Sequence, residues 1–257
     1  MERGKEIRMG RQKDVRALCR VQAMNIQGLE RFSTIDYPGK LACTLFISGC
    51  NFRCGYCHNP DLVLKANSRS SISEESILEF LDQRRGLLEG VCITGGEPLT
   101  TLDLNFLEKI KNKGFAVKID TNGSYPDRLQ EAINAGLVDY IAMDLKASRE
   151  HYPDLVGHVD LNKIEQSMQI ISDFKKYEFR TTVVPGFHTL ENLQQMRDWV
   201  LETTWKKRLQ AYYIQGFIAR LGGMLDPLFE NISSPKQAWL EEIKKLWLPY
   251  VDICEIR

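Results

Sequence analysis

Short apolar runs and amphipathic stretches alternate along most of this chain. Six apolar runs are typical of strands buried on both faces: 41–47, 91–94, 115–119, 140–143, 179–184 and 209–214. Apolar residues at helical spacing predict a helix after each of these strands, at 71–84, 104–113, 127–135, 162–177, 190–203 and 235–248. A final apolar segment, 251–256, has the pattern of an edge strand.

Polar, proline and glycine residues mark several ends of these elements. Ser71 and Glu74 have the spacing of a capping box at the start of the first helix. Gly114 and Gly136 follow the second and third helices, where glycine commonly ends a helix. Pro235 suits the first turn of the last helix.

Strands that alternate with helices predict an α/β fold with a mostly parallel sheet and helices outside it. Such sheets either close into barrels or stay open, and in both cases ligands gather at the C-terminal ends of the strands. The polar and glycine-rich motifs of this chain all follow predicted strands, at 49–60, 95–98, 120–123 and 144–146. We therefore expect these motifs to line one mouth of the sheet.

The composition narrows the function without identifying it. A chain of 257 residues, of which 43% are hydrophobic, suits one α/β domain or at most two small ones. The formal net charge is zero, so the global charge does not predict a nucleic-acid partner. No apolar run is long enough to span a membrane, and the N-terminus lacks the apolar core of a signal peptide.

The first 23 residues differ from the rest of the chain. They contain seven Lys or Arg and three acidic residues, a net charge of +4, whereas residues 24–257 carry a net charge of −4. A basic segment of this kind could contact nucleic acid or an acidic partner. We predict instead a disordered extension, or sequence upstream of a start at Met24, so that 24–257 forms the functional domain.

Three of the seven cysteines, Cys50, Cys54 and Cys57, fall within eight residues. The odd total and this crowding favour reduced thiols in the cytoplasm over disulfides. The spacing lets three thiolates bind one inorganic centre, either an iron–sulfur cluster with one open iron or a zinc knuckle completed by Cys92 or His58. The position of the motif after a predicted parallel strand favours the cluster.

Gly95-Gly96-Glu97-Pro98 follows the second predicted strand. The two glycines let a ligand approach the backbone closely. Their N–H groups could bind a carboxylate, and their carbonyls or Glu97 could bind an ammonium group. The alternative is an ordinary turn between a strand and a helix.

Asp120-Thr121-Asn122-Gly123 and Asp144-Leu145-Lys146 place charged side chains at the next two strand ends. A carboxylate beside an ammonium group suits a zwitterionic ligand. The alternatives are helix caps at Asp120 or Asn122 and a satisfied ion pair between Asp144 and Lys146.

Two motifs together carry a family resemblance: Cys50-x3-Cys54-x2-Cys57, with Tyr56 before the last cysteine, and the glycine motif at 95–98. They resemble the signature of the radical S-adenosylmethionine (radical SAM) superfamily. The loop at 49–59 is similar to activating enzymes of glycyl radical enzymes.

Asp36-Tyr37-Pro38-Gly39-Lys40 narrows the resemblance to a subgroup. It is similar to activating proteins of anaerobic ribonucleoside-triphosphate reductase, whereas activases of pyruvate formate-lyase usually read Asp-Gly-Pro-Gly. The resemblance spans residues 25–257.

The resemblance implies a partial (β/α)6 barrel, an incomplete TIM-like barrel of mostly parallel strands, in which Cys50, Cys54 and Cys57 bind a 4Fe–4S cluster. The open iron would bind the amine and carboxylate of S-adenosylmethionine (SAM). One electron from the reduced cluster would cleave SAM to methionine and a 5′-deoxyadenosyl radical, which would take a hydrogen atom from a backbone glycine of a glycyl radical enzyme. A reductase such as flavodoxin or ferredoxin would supply the electron.

The resemblance also implies which residues contact SAM. Gly95, Gly96 and Glu97 would bind the methionyl ammonium group, and Tyr56 would lie near the adenine. The rest of SAM, together with a monovalent cation, would be held by Asp120, Thr121, Asn122, Asp144 and Lys146. The next strand end would place Arg180 and Val184 near the ribose or the partner's peptide, and Pro98 is a further expected contact.

One position departs from the family pattern. Pyruvate formate-lyase activases have a histidine that faces SAM after the last strand, and this chain has Ile214-Gln215-Gly216-Phe217 there. We assign no SAM contact in that stretch. The alternatives to activation of ribonucleotide reductase are activation of another glycyl radical enzyme, chemistry on a small molecule, or a non-catalytic iron–sulfur or zinc module that transfers electrons.

Overall fold

The computed structural model of the protein describes residues 24–65 and 70–257. In those residues one sheet has the strand order β1 to β8, with β1 pairing antiparallel to β2 and all later neighbours pairing parallel. The strands are β1 (Ile26–Ser33), β2 (Ala42–Ile47), β3 (Gly90–Gly95), β4 (Ala116–Thr121), β5 (Tyr140–Asp144), β6 (Tyr177–Val183), β7 (Leu209–Gly216) and β8 (Val251–Ile256). The predicted α/β class with a mostly parallel sheet is confirmed.

Helices connect the parallel strands, as the apolar spacing predicts. The helices of the described residues are α1 (Pro60–Leu64), α2 (Glu74–Gln83), α3 (Leu104–Asn112), α4 (Pro126–Asn134), α5 (Tyr152–Val156), α6 (Leu161–Ser172), α7 (Leu190–Thr204) and α8 (Gln237–Trp247). Each longer helix buries one apolar face; in α3, for example, Phe106, Leu107 and Ile110 are all fully buried. None of the helices in this part of the chain is long and apolar enough to cross a membrane.

The predicted start of the first long helix is wrong by two residues. Ser73, not Ser71, is the N-cap of α2, and its hydroxyl accepts the N–H of Ser76. The chain is still extended just before this cap, because the N–H of Ile72 donates to the carbonyl of Ile26 at 2.7 Å. This bridge to β1 delays the helix.

Two other helix ends also differ from the prediction. Helix α6 ends at Ser172 and not at residue 177, because Tyr177 already pairs with β5 as the first residue of β6. Pro235 precedes α8 instead of standing in its first turn, and Lys236 is the N-cap.

Strand β1 is absent from the prediction. Its apolar residues Ile26, Leu29 and Phe32 recur every three positions, which is not the alternation of a half-buried strand. The pairing of β1 with β2 contains two register shifts, and such bulges break the alternation of side chains. Backbone pairing to a buried neighbour therefore decides the structure of this segment.

The segment of residues 1–23, predicted as an extension, lies outside the described residues, as does Cys19. The core begins at Met24, which is 4% exposed, and continues through the strands. Cys43 and Cys92 lie inside β2 and β3 with no exposed surface, as expected of thiols in the core.

Candidate functional site

The C-terminal ends of β2 to β6 surround one cavity. It contains about 830 Å³ of empty space, a volume that includes solvent at its open mouth. All the predicted site residues line this cavity except Glu97, Pro98 and Val184. The expectation that the strand-end motifs share one mouth is therefore correct.

The cysteine loop, residues 49–59, leaves β2 and crosses this mouth. Its backbone is anchored near both sides of Cys50: the N–H of Gly49 donates to the carbonyl of Leu62 at 2.8 Å, and the N–H of Arg53 donates to the carbonyl of Val156 at 2.9 Å. These bonds join the loop to α1 and α5, the two short helices that flank it.

A segment after β7, residues 217–232, covers the outer side of the cysteine loop. The N–H of Asp226 donates to the carbonyl of Gly55 at 3.0 Å. The ring of Phe229 lies so close to Gly55 that a Cβ on this residue would be 2.3 Å from a ring carbon. The loop therefore needs glycine at position 55 for this packing.

Burial changes the chemistry of the cysteine thiols. Burial raises the pKa of Cys50 to about 12 and that of Cys54 to about 11. In the metal-free protein both thiols therefore keep their protons at neutral pH. A metal centre binds thiolates, so its binding here releases these protons.

Close approach of β2 and β3 explains the two glycines of the 95–98 motif. Gly95 has φ +126, a conformation that glycine adopts readily. A Cβ on Gly96 would lie 2.0 Å from the carbonyl oxygen of Gly49, at the start of the cysteine loop. The motif and the loop are thus in direct backbone contact, with the N–H of Glu97 donating to the same Gly49 carbonyl at 2.7 Å.

Glu97 is fully buried beneath the cavity. Its carboxylate accepts the hydroxyl of Thr121 at 2.8 Å, the N–H of Asn122 at 2.6 Å and the N–H of Leu99 at 3.1 Å. Burial raises the pKa of Glu97 to about 7, although these hydrogen bonds oppose the shift. Its side chain therefore joins the ends of β3 and β4 and does not line the ligand space.

Charged side chains from β4, β5 and β6 form one row across the cavity. Arg180 contacts both Asp120, at 2.9 Å, and Asp144. Lys146 pairs with Asp144 at 2.8 Å, and the buried Lys118 pairs with Asp120. The ion pair between Asp144 and Lys146, predicted from the sequence as the alternative to ligand binding, is present, and both residues also line the cavity.

Opposing effects set the ionisation of this row. Burial alone would raise the pKa of Asp144, but the nearby Arg180 and Lys146 outweigh it and lower the pKa below its ordinary value. Burial alone would lower the pKa of Lys146. The nearby Asp144 carboxylate outweighs burial and raises the pKa of Lys146 well above its ordinary value. Both side chains are therefore charged over the whole physiological range.

Five lining residues were not named for the site from the sequence, and a sixth, His58, was named only as an alternative zinc ligand. The five are Phe52, Asn59, Val63, Thr94 and Thr182. Most of them are neighbours of predicted residues along the same loop or strand. Their position at the end of a strand could have identified them as lining residues, whereas their residue types could not. The Nε2 of His58 bonds the carbonyl of Ile218 at 2.7 Å, and the ring stacks on Phe217.

His188 supports the site from a loop. It is 3% exposed, its Nδ1 accepts the N–H of Val184 at 2.9 Å, and its Nε2 lies 2.9 Å from the carbonyl of Lys146. It therefore fixes the backbone of Lys146 against the end of β6. Nothing in the sequence around His188 indicates this contact.

The donor set fits an iron–sulfur cluster better than zinc. A structural zinc site binds one ion through four ligands, so three cysteines need a fourth ligand, for which the sequence offered Cys92 or His58. Cys92 does not complete such a site, because its sulfur lies 3.6 Å from the carboxylate of Asp120, inside the sheet. Each thiolate of a cubane cluster binds a different iron, so three separated cysteines around one cavity suit it.

The same wall offers polar groups to an organic ligand. The buried hydroxyl of Tyr56 has no hydrogen-bond partner in the described structure, and the Nζ of Lys146 lies 5.8 Å from the centre of the Tyr56 ring. An aromatic ring beside an ammonium group and two carboxylates can bind a molecule that has both an aromatic and a zwitterionic part.

Comparison with known proteins identifies the family. The sequence model of the Radical SAM superfamily matches residues 44–200, which is more than half of the chain. The chain belongs to this superfamily. As a radical SAM enzyme, it uses a 4Fe–4S cluster and SAM.

Two curated relatives place this radical SAM protein in the activating branch. A protein of Methanocaldococcus jannaschii, provisionally named a glycyl-radical enzyme activating enzyme, is 33% identical over 244 residues, which cover 90% of this chain and 95% of that protein. The pyruvate formate-lyase-activating enzyme of Staphylococcus aureus is 31% identical over 189 residues. That match covers 68% of this chain and 63% of the relative, so the chain spans less than two thirds of it.

Solved structures agree on the fold. Methylornithine synthase (PylB) aligns with a TM-score of 0.60 and 15% identity, over 82% of this chain and 63% of that protein. A structure of TYW1 with a lysine-pyruvate adduct aligns with a TM-score of 0.55 and 14% identity, over 80% of this chain and 73% of TYW1. At such identities the likeness supports the radical SAM fold alone.

Proposed function

We propose that this radical SAM enzyme generates a glycyl radical on a partner enzyme, and that the partner is an anaerobic ribonucleoside-triphosphate reductase. The observation that carries the proposal is the shared cavity, in which three cysteines face the charged strand ends. The names of the two curated relatives support a glycyl radical enzyme as the substrate class.

In this proposal Cys50, Cys54 and Cys57 hold the cluster. When bound, the cluster and SAM supply a 5′-deoxyadenosyl radical that takes a hydrogen atom from a glycine of the partner. Gly95 and Gly96 present backbone groups to the methionyl end of SAM, because no side chain separates a ligand from them.

The charged row orients the rest of SAM. Lys146 offers its ammonium group to the carboxylate of SAM, and Asp120 and Asp144 offer oxygens to its amine and hydroxyl groups. Because Arg180 contacts both carboxylates, their positions are fixed before SAM binds. Tyr56 supplies an aromatic surface on the cysteine-loop side of the cavity.

The choice of ribonucleotide reductase as the partner rests on the 36–40 motif. Tyr37 is 3% exposed and packs against Tyr140, and the carboxylate of Asp36 accepts the hydroxyl of Thr44 at 2.7 Å. The motif therefore shapes the turn between β1 and β2, at the opposite end of the sheet from the cavity. It supports kinship with that subgroup through its role in the fold. Pyruvate formate-lyase is the second candidate partner, because the S. aureus relative is named as its activating enzyme.

The test uses anaerobic, reconstituted protein with SAM and dithionite, and later with flavodoxin or ferredoxin as the electron donor. We expect 5′-deoxyadenosine, and a glycyl doublet in electron paramagnetic resonance when anaerobic ribonucleotide reductase is added. A doublet on pyruvate formate-lyase instead would replace the proposed partner. A protein that binds zinc and does not cleave SAM would contradict the cluster assignment itself.

Two cysteine variants make this test specific. Cys54→Ala removes a proposed ligand and should lose the cluster absorbance and SAM cleavage. Cys92→Ala removes a buried thiol of the neighbouring strand β3 and should keep the iron content of the wild type. Full cleavage by the Cys54 variant would contradict the ligand assignment.

A further inference from the structure

The side chain of Asn122 uses all of its hydrogen-bonding groups inside the protein. Its Oδ1 accepts the N–H of Ser124 at 2.9 Å and the hydroxyl of the same residue at 2.5 Å. Its Nδ2 lies 3.1 Å from the Oδ1 of Asn51 and 3.9 Å from the sulfur of Cys50. An asparagine side chain has two donor hydrogens and one acceptor oxygen with two lone pairs, so no polar capacity is left for SAM.

Burial and a hydrogen bond to Asn51 keep this arrangement rigid. Asn122 is 6% exposed and Ser124 is 8% exposed. The hydroxyl of Ser124 also lies 3.1 Å from the Oδ1 of Asn51, but its single hydrogen points to the nearer Oδ1 of Asn122. The bond that joins Asn51 to Asn122 is therefore the one from the Asn122 amide. Since Asn51 directly follows Cys50, this bond joins the cysteine loop to the end of β4.

Hydrogen bonds to the three cysteine sulfurs are unequal. The sulfur of Cys50 is within reach of the N–H of Phe52, at 3.4 Å, and of the Asn122 amide. In the described part of the chain, no side chain donates to the sulfur of Cys54 or Cys57. Donors aimed at a cluster sulfur stabilise the more negative, reduced cluster and so raise its reduction potential.

We propose that Asn122 is a positioning residue for the cluster: it holds Cys50 through Asn51 and directs an amide N–H at the Cys50 sulfur, which makes the cluster easier to reduce. This proposal rests on the proposed role of Cys50 as a ligand. It replaces the expected contact between Asn122 and SAM.

The test is Asn122→Ala in reconstituted holoenzyme. The cluster is titrated with dithionite, and electron paramagnetic resonance measures the fraction of cluster that is reduced by one electron. We expect the equilibrium constant for reduction to fall about tenfold, a shift of about 59 mV to more negative potential. The Kd for SAM, measured by equilibrium binding, should stay within about twofold of the wild type, since no SAM contact is lost.

Ser124→Ala is the matched control. It removes a hydroxyl that bonds the Asn122 side chain, while the backbone N–H of residue 124 still orients Asn122 and no contact with Cys50 is lost. We expect a much smaller shift in potential than in the Asn122 variant. An equal shift in both variants would mean that the sulfur contact is not the cause, and would overturn the proposal.

Two further outcomes distinguish a role of Asn122 at the cluster from a contact with SAM. A weaker affinity for SAM with an unchanged potential in Asn122→Ala would restore the SAM contact and reject this role. If that variant does not retain iron, Asn122→Ser gives the same test with a side chain that can still bond Ser124. These results leave the proposed function intact, because 5′-deoxyadenosine formation by the wild type tests it separately.

Discussion

At the scale of single residues, Arg180 has the most consequential contacts in the site. Its guanidinium group contacts Asp120 and Asp144, which belong to the set of residues where the resemblance implies a monovalent cation beside SAM. Arg180 is therefore the positive charge that lies between them in this chain. We expect SAM cleavage by the wild type to be indifferent to the choice of K⁺, Na⁺ or choline at constant ionic strength.

Replacement of Arg180 tests this role. Arg180→Met should lower the free energy of unfolding by about 3 kcal/mol, because it leaves two buried carboxylates without their shared partner. KCl should restore part of this loss, which urea unfolding at constant ionic strength can measure. The control is Arg149→Met: the Arg149 side chain is 57% exposed, so its pair with Glu165 contributes little. A wild type that needs K⁺ for SAM cleavage would contradict the prediction.

Glu97 makes the stability of the protein depend on pH. Its pKa is raised by burial from 4.5 to about 7, so the folded protein binds this proton more tightly than the unfolded protein does. The resulting stabilisation is fully present below pH 4.5 and is lost as the pH rises through 7. If Glu97 instead made the free energy of unfolding rise between pH 4.5 and pH 7, this prediction would be contradicted.

Glu97→Gln isolates this effect. The amide cannot titrate, so the stability of the wild type relative to this variant should decrease between pH 5 and pH 8. The variant also has an effect that does not depend on pH. The NH₂ group of glutamine would face N–H or O–H donors that now meet a carboxylate oxygen, which should lower the free energy of unfolding by about 1–3 kcal/mol. Urea unfolding of the metal-free protein measures both effects. The exposed Glu79→Gln should show neither.

At the scale of elements, the contact between the cysteine loop and the 95–98 motif is the sharpest steric constraint. Gly96→Ala would place a Cβ 2.0 Å from the carbonyl oxygen of Gly49. Backbone cannot move away as a flexible side chain can, so we expect this variant to displace the loop and to lose most of its iron.

Gly114→Ala is the matched control for that prediction. Gly114 has φ +93 at the end of α3, and a Cβ there would meet nothing within 4 Å. The change should cost about 1–2 kcal/mol of backbone strain and leave the iron content unchanged. Iron content per chain and thermal unfolding separate the two effects, and normal iron in Gly96→Ala would refute the steric reasoning.

The elements also show where sequence reasoning succeeds and where it stops. Apolar runs and helical spacing identify the parallel strands and long helices, because each buries a continuous apolar face. Strand β1 was missed because its bulged pairing hides the alternation, and the start of α2 was misplaced because a long-range bond from Ile72 to Ile26 delays the helix. Neither cause is local in the sequence.

The same division applies to the site. Position after a parallel strand correctly brings Cys50, Asp120 and Lys146 to one cavity. It does not reveal which side chains turn inward as supports, as Glu97 does, or which distant residues brace the site, as His188 does. Those contacts depend on how neighbouring strand ends pack together.

At the scale of the whole molecule, the described sheet and cavity are formed by residues between Met24 and the C-terminal strand β8. Met24 and Ile26 already belong to the core, and the match to the M. jannaschii relative covers 95% of that protein with 90% of this chain. The basic segment of residues 1–23 lies outside the described residues, and that the domain functions without it stays a prediction. The net charge of +4 on this segment could contribute to binding of the partner enzyme, which experiment can decide.

A chain that starts at Met24 answers this question. We expect it to match the full chain in iron content, melting temperature and rate of 5′-deoxyadenosine formation, because every lining residue of the cavity is retained. The yield of glycyl radical on the partner enzyme, measured at low and at high salt, should also be unchanged. If the segment docks an acidic partner, the truncated chain will give less radical at low salt only. Salt shortens the distance over which exposed charges attract, from about 30 Å at 0.01 M to about 3 Å at 1 M. Loss of iron or of melting temperature would instead show that the domain begins before residue 24.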